Sequence, residues 1–284
     1  MFQQVAILGP GLLGASLAMA LKARGLSGRV VAWSRRAETR AKCRTRPWCD
    51  AVEESAQQAV AGSDLVVLCT PVATIAPLVG ELAGHVEPGA LVTDVGSTKS
   101  LICRQARSLL SGRGGAFIGS HPMAGSELAG MEHAREDLFA GAPCFVTPVE
   151  DDPDHEVARL IRFWEALDMT VETLSPERHD EVVAHISHLP HFIASSLCGY
   201  LASRDPRWAH FAGPGLRDST RIASGDPGLW RQIFSQNRDE LLRALDGFED
   251  ELHALKAALL NDESTGVAAL LERGKQYRDR LRTE

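Results

Sequence analysis

Three glycines near the start of the chain carry the first chemical signal. Gly9-Pro10-Gly11-Leu12-Leu13-Gly14 is a GxGxxG pattern between an apolar run, Val5 to Leu8, and a helix-compatible stretch, Leu12 to Arg24, closed by Gly25. In that setting Gly9 permits a tight turn, Gly11 leaves room for a pyrophosphate against the backbone, and Gly14 lets helix and strand approach closely. The helix start, with Leu12 and Leu13 in its first turn, offers unpaired N–H groups and the positive end of a dipole to phosphates. The pattern predicts a dinucleotide site. At the end of the next strand, Arg29 to Trp33, the chain carries Ser34-Arg35-Arg36, where a carboxylate would hold a ribose 2′-hydroxyl. Ser34, Arg35 and Arg36 suit a 2′-phosphate instead, so NADP is expected over NAD. Arg40, Lys42, Arg44 and Arg46 are expected to continue as a solvated basic helix face.

Two further loops lie where an open α/β sheet binds ligands, at the carboxyl ends of strands. Thr70-Pro71 follows the run Asp64 to Cys69, and Gly96-Ser97-Thr98-Lys99 follows Leu91 to Val95. Ser97 and Thr98 are candidate N-caps for a helix beginning at Lys99, and Ser97 is also a candidate substrate or nicotinamide contact. His121, after a short strand and beside Pro122, has a side chain suited to act as a base near neutral pH. His185, His188 and His191 form an H-x2-H-x2-H series. It lacks the i,i+4 pair of a zinc helix, Pro190 disturbs its register, and no Cys or carboxylate completes it, so no metal is expected and a pocket or core role is. His179 and His210 show no comparable setting.

These residues need a scaffold, and the chain's periodicity supplies one. Over 1–174 short apolar runs alternate with helical patterns, including candidate helices near Ile75 to Ala83 and Lys99 to Leu110 and shorter strands at Ala116 to Ile118, Pro143 to Thr147 and Thr170 to Thr173. That alternation predicts a doubly wound α/β domain with a parallel sheet covered on both faces. From 175 to 284 strand-like runs vanish and the chain reads as all-α, broken at Asp205-Pro206, Gly213-Pro214-Gly215 and Gly225-Asp226-Pro227-Gly228. Leu241, Leu245, Phe248, Leu252, Leu255 and Leu259 form a heptad seam, either packed in the helix's own bundle or serving as a dimer contact.

Composition narrows the rest. The 284 residues are 44% hydrophobic with a net charge of −7, which speaks against disorder and against general nucleic-acid or anionic-membrane binding. Apolar runs fall well short of the roughly 18 to 20 residues of a bilayer span. The N-terminal stretch lacks a basic leader and is interrupted by glycine and proline, so it reads as strand and helix, not signal peptide. Six Cys without a CxxC pair are expected to be reduced thiols of a cytoplasmic protein.

Four segments in order, DVGSTK (94–99), GSHPMAGSE (119–127), HISHLPH (185–191) and DSTRIA (218–223) with Trp230, resemble those of the prephenate and arogenate dehydrogenases of tyrosine biosynthesis. The resemblance implies a Rossmann domain followed by a helical dimerisation domain, and a homodimer. It implies that His121 is the catalytic histidine at the ring 4-hydroxyl, with Ser97 helping to hold both. It also implies that Arg221 grips a substrate carboxylate, with Asp218 and Trp230 nearby, His188 and His191 lining the pocket, and Glu127 acting at the side-chain end of the substrate. Prephenate and arogenate both remain open as substrates. The length has room for the dehydrogenase core without an upstream mutase helix domain or a downstream βαββαβ regulatory domain, so any inhibition by tyrosine would act at the active site. Two other readings are a β-hydroxyacid-type dehydrogenase and a non-catalytic nicotinamide-binding sensor.

Overall fold

The computed structural model describes residues 1–112, 115–125 and 128–281. Its apolar runs become the strands of a parallel sheet: β1 (Phe2–Leu8), β2 (Ser27–Trp33), β3 (Ala51–Val52), β4 (Leu65–Leu68), β5 (Leu91–Asp94) and β6 (Ala116–Phe117), in the order β3-β2-β1-β4-β5-β6. Val5 to Leu8 and Leu65 to Leu68 are completely buried, as expected for strands covered on both faces. The covering helices are α1 (Leu12–Ala23), α2 (Ala37–Cys43), α3 (Ala56–Val60), α4 (Val72–Leu82), α5 (Ser100–Leu110) and α6 (Asp154–Glu165). Helix α1 ends at Arg24, where Gly25 takes a φ of 63°, a conformation glycine adopts without strain. Strand order reverses between β1 and β4, which opens a crevice at their carboxyl ends.

The predicted strands at 143–147 and 170–173 form, but outside the parallel sheet. β7 (Gly119–Pro122), β8 (Pro143–Thr147) and β9 (Thr170–Thr173) make a second, three-stranded sheet in which β7 runs antiparallel to β8. His121 therefore lies within a strand, opposite Phe145, where the sequence suggested a loop.

A buried polar clasp joins the two sheets. Ser120 Oγ donates to the Asp94 carbonyl at 2.6 Å and lies 2.9 Å from Thr93 Oγ1. Lys99 Nζ pairs with the Asp94 carboxylate and also donates to the Ser120 carbonyl at 3.0 Å, with both charged side chains fully buried. Asp94 further accepts the Gly96 N–H at 2.9 Å. The expected capping of α5 by Ser97 or Thr98 does not occur. Asp180 accepts the Lys99 and Ser100 N–H groups at 2.7 and 2.9 Å, and Thr98 Oγ1 bonds to Gln236 Oε1 at 2.6 Å. A carboxylate reaching in from a distant helix supplies two acceptors where a local hydroxyl would supply one.

The remaining chain is helical: α7 (Pro176–Val183), a π turn at Ala184–His188, α8 (Leu189–Ala202), α9 (Pro214–Thr220), α10 (Pro227–Gln236), α11 (Arg238–Leu260) and α12 (Ser264–Arg280). Two compact units result, Met1–Asn237 and Arg238–Glu284, so α7 to α10 belong to the same unit as both sheets. In the second unit α11 and α12 pack together, and of the heptad residues on α11 Leu252 and Leu259 are 50% and 63% exposed. Among the described residues no helix is long and apolar enough to cross a membrane.

Replacing Lys99 by Met leaves the Asp94 carboxylate buried without its cation, and urea denaturation is expected to show a loss of about 3–5 kcal/mol. The double replacement Lys99→Met with Asp94→Leu should recover part of that loss, because no lone charge then stays buried.

Candidate active site

The crevice at the carboxyl ends of β1, β4 and β5 widens into a cleft of about 800 Å³. Gly11, Leu12, Leu13, Thr70, Pro71, Ser97, His121, Arg221 and Trp230 all line it. Nine of the residues singled out in the sequence thus meet in one space, although they come from segments more than 200 residues apart.

The cofactor end has the shape its glycines imply. Gly9 has a φ of 95°, and a Cβ there would come within 2.6 Å of the Cys69 carbonyl and 2.8 Å of the Thr70 methyl. A Cβ on Gly14 would meet the Gly9 carbonyl at 2.6 Å, so these two glycines serve packing. A Cβ on Gly11 would meet nothing within 4 Å, which leaves open space in front of the α1 N-terminus for a phosphate pair. Thr70 Oγ1 is buried on the cleft wall without a partner among the described residues, a hydroxyl available to a bound nucleotide. The residues present therefore fit a dinucleotide.

At the end of β2, Arg35 and Arg36 are exposed, and Ser34 Oγ accepts the Arg36 N–H at 3.3 Å. The neighbouring Arg40 departs from the expected solvated helix face. Its guanidinium donates to the Ser34 and Arg35 carbonyls at 2.8 and 3.2 Å and pairs with Glu54 at 2.8 Å, bracing the loop from below. Arg44 pairs with the same Glu54, and Lys42 with Glu132. The two arginines hold the Glu54 carboxyl below its usual range, so this nearby acid stays matched by positive charge.

His121 is 7% exposed and connects inward to a chain of groups. Its Nδ1 lies 2.9 Å from His179 Nε2, and His179 Nδ1 lies 2.9 Å from Asp180 Oδ1, the carboxylate that caps α5. Burial, reinforced by the nearby His179, Lys99 and His188, pushes the His121 imidazole well below its ordinary pKa. Burial likewise lowers His179 against the pull of Asp180. His179 is completely buried and directly attached to the candidate base, so the sequence reading that set it aside is corrected. Neither a motif nor a spacing marks it; only the pairing of α7 with β7 and α5 brings it in.

The helical wall forms around the π turn. Asp180 and His188 are eight positions apart, about 80° out of line on an α-helix, and the extra residue in the π turn brings them close to the same face. Pro190, which lacks an N–H, lies just beyond that turn. Asn237 Nδ2 then donates both to the Asp180 carbonyl at 2.7 Å and to His188 Nδ1 at 3.1 Å. His188 is completely buried, and burial pushes its pKa down to about 4. It stands behind the cleft, not on its surface. His191 stacks flat on Trp230, ring centroids 3.6 Å apart, and thereby sets the indole that lines the cleft. Asp218 is exposed on α9 and outside the cleft lining. Glu127 lies outside the described residues.

Comparisons with known proteins agree with this geometry. Residues 17–173 match the family model for the prephenate dehydrogenase nucleotide-binding domain, and residues 175–273 match the prephenate dehydrogenase dimerization domain. The cyclohexadienyl dehydrogenase of Zymomonas mobilis is 31% identical over 100% of this chain and 97% of its own length. A crystal structure of prephenate dehydrogenase from Aquifex aeolicus, in complex with hydroxyphenyl propionate and NAD+, superposes with a TM-score of 0.92 at 31% identity, covering 99% of both chains. Synechocystis arogenate dehydrogenase superposes with a TM-score of 0.84 at 32% identity, covering 98% of this chain and 100% of that one. With a Rossmann-type nucleotide-binding domain, a helical dimerisation domain and the cleft described above, the chain belongs to the prephenate dehydrogenase family, the nicotinamide-dependent oxidoreductases of tyrosine biosynthesis.

Proposed function

We propose that this chain catalyses the oxidative decarboxylation of prephenate, arogenate or both, with NADP preferred over NAD. The observation that carries the reading is the convergence of His121, Ser97, Arg221 and Trp230 on one cleft that Gly11 and the start of α1 also line. Residues 1–174 hold the cofactor, and 175–284 supply the substrate wall and the dimer contact. When bound, the nicotinamide supplies the hydride acceptor. His121 takes the proton of the ring 4-hydroxyl as C4 loses its hydride, and Ser97 helps to hold that hydroxyl. Ketone character at C4 then lets the ring carboxylate leave as CO2, with gain of aromaticity. Arg221 offers a planar fork to a substrate carboxylate, which orients C4. Glu127 is assigned to the side-chain end, where prephenate carries a keto group and arogenate an ammonium, and Asp218 to a supporting role beside Arg221.

The preference for NADP rests on Ser34, Arg35 and Arg36 at the end of β2 and on the pairing of Glu54 with Arg40 and Arg44. The same chain is read as a cytoplasmic homodimer. The exposed leucines of the α11 seam support a helix-to-helix contact with a second copy.

Steady-state kinetics with both substrates and both cofactors test the central reading; turnover of neither substrate would defeat it. Arg35→Ala is expected to lower kcat/KM for NADP roughly 10- to 100-fold while sparing NAD, the scale of a hydrogen bond to a charged group. A native preference for NAD would refute the assignment of that loop. His121→Asn should lower kcat on the order of 10²- to 10⁴-fold with cofactor binding retained. Because burial and neighbouring positive groups lower the His121 pKa, its proton-accepting form prevails at neutral pH. Activity should therefore stay level from about pH 6.5 upward and fall only on acidification. Sedimentation at micromolar concentration should give twice the monomer mass, and a monomer would contradict the dimer.

A further inference from the structure

The chain of contacts behind His121 has a direction. Asp180 accepts two backbone N–H groups, those of Lys99 at 2.7 Å and Ser100 at 2.9 Å, and backbone amides can only donate. Burial alone would raise the Asp180 carboxyl, but hydrogen bonds from His179 and Ser100 outweigh it and hold the group below its usual range. An ionised carboxylate carries no proton, so the short contact to His179 requires the proton to sit on His179 Nδ1. Neutral His179 then presents a bare Nε2. That atom lies 2.9 Å from His121 Nδ1, and the bond exists only if His121 Nδ1 carries a proton. Neutral His121 is consequently bare at Nε2.

We propose that His179 and Asp180 are positioning residues that set the tautomer of His121, with Asp180 itself oriented by the N-terminus of α5. The proposal rests on His121 as the acceptor of the substrate's hydroxyl proton, and it adds why that nitrogen is unprotonated before substrate arrives. When Nε2 takes the proton, the resulting imidazolium keeps its Nδ1–H bonded to His179, and the Asp180 carboxylate lies behind in line. No proton passes along the chain to Asp180, and His121 returns to its starting form by releasing the Nε2 proton to solvent at the cleft. His179 is wholly buried, edge-on to Phe145 with ring centroids 5.4 Å apart, so solvent is excluded from its side of the bond. Among the described residues, the charged or titratable groups near His121 include Lys99 and Asp94 from the clasp, His188 from the π turn and Cys144 on β8, all fully buried, while Arg221 lines the same cleft. Burial and the nearby Lys99 ammonium disfavour a positive charge on either imidazole at rest, which maintains the neutral rings that the tautomer argument requires.

The direct test is nitrogen NMR of the ligand-free protein labelled with 15N in its histidines, with His121 assigned by its loss in His121→Asn. The expected spectrum shows His121 with a pyrrole-type Nδ1 and a pyridine-type Nε2. His179→Phe, which keeps the ring volume and removes the acceptor, should erase that preference. It should also lower kcat on the order of 10²-fold or more, with the cofactor KM unchanged, as a wrongly protonated base does. Asp180→Asn, whose amide places an N–H donor where a carboxylate oxygen accepted, should weaken the same preference and also lower kcat. A native His121 protonated at Nε2 would overturn the proposal, as would a His179→Phe enzyme with native kcat and native tautomer. If His179→Phe does not fold, the spectrum of the native protein decides alone. Should His121→Asn keep full kcat, the functional reading fails while the tautomer measurement still stands on its own.

Discussion

The buried pair of Lys99 and Asp94 is the interaction on which the rest of the structure depends. Two full charges removed from water are stable only when each is matched, and here the match extends beyond the pair to the Ser120 carbonyl, the Gly96 N–H and the Ser120 N–H. The pair joins the carboxyl end of β5 to β7, so it sets where the second sheet stands against the first. His121 is the next residue after Ser120. Its position therefore follows from a charge pair that does not itself line the cleft.

The same economy of connections ties the helical wall to the cofactor side. Gln236 bonds to Thr98, Gln232 to the Ala73 N–H at the start of α4, and Asn237 to both Asp180 and His188. The end of α10 and the residue that follows it thus tie the helical wall to the segments after β4 and β5 and to α7. Trp230 from the helical part and Thr70 from the loop after β4 belong to one compact unit, although the chain between them changes from α/β to all-α.

Charge is arranged locally against the chain's average. A net −7 coexists with exposed arginines at the end of β2 and with Arg221 in the cleft, positions that face anionic groups in the proposed complex. The histidines follow a different rule. Burial keeps His121, His179 and His188 neutral, so their nitrogens act as directional donors and acceptors instead of as charges.

Local chemistry made much of this legible from sequence. A glycine pattern between strand and helix, apolar runs of strand length, the absence of a carboxylate after β2, and short ordered motifs all depend on a few adjacent residues, and each states its own geometry. The sequence by itself determined the parallel sheet and the glycine pattern before α1, and it pointed to His121, Ser97, Arg221 and Trp230, which the structure brings to one cleft. Only the tertiary structure decided that β7 leaves the parallel sheet, that Arg40 is a brace and not a solvated surface charge, and that Asp180 caps α5. It alone attached His179 to His121. The reason is that these roles are made by partners 14 to 81 residues apart, such as Arg40 with Glu54 and Lys99 with Asp180. No local pattern encodes a contact whose two halves meet only when the sheets and helices have packed.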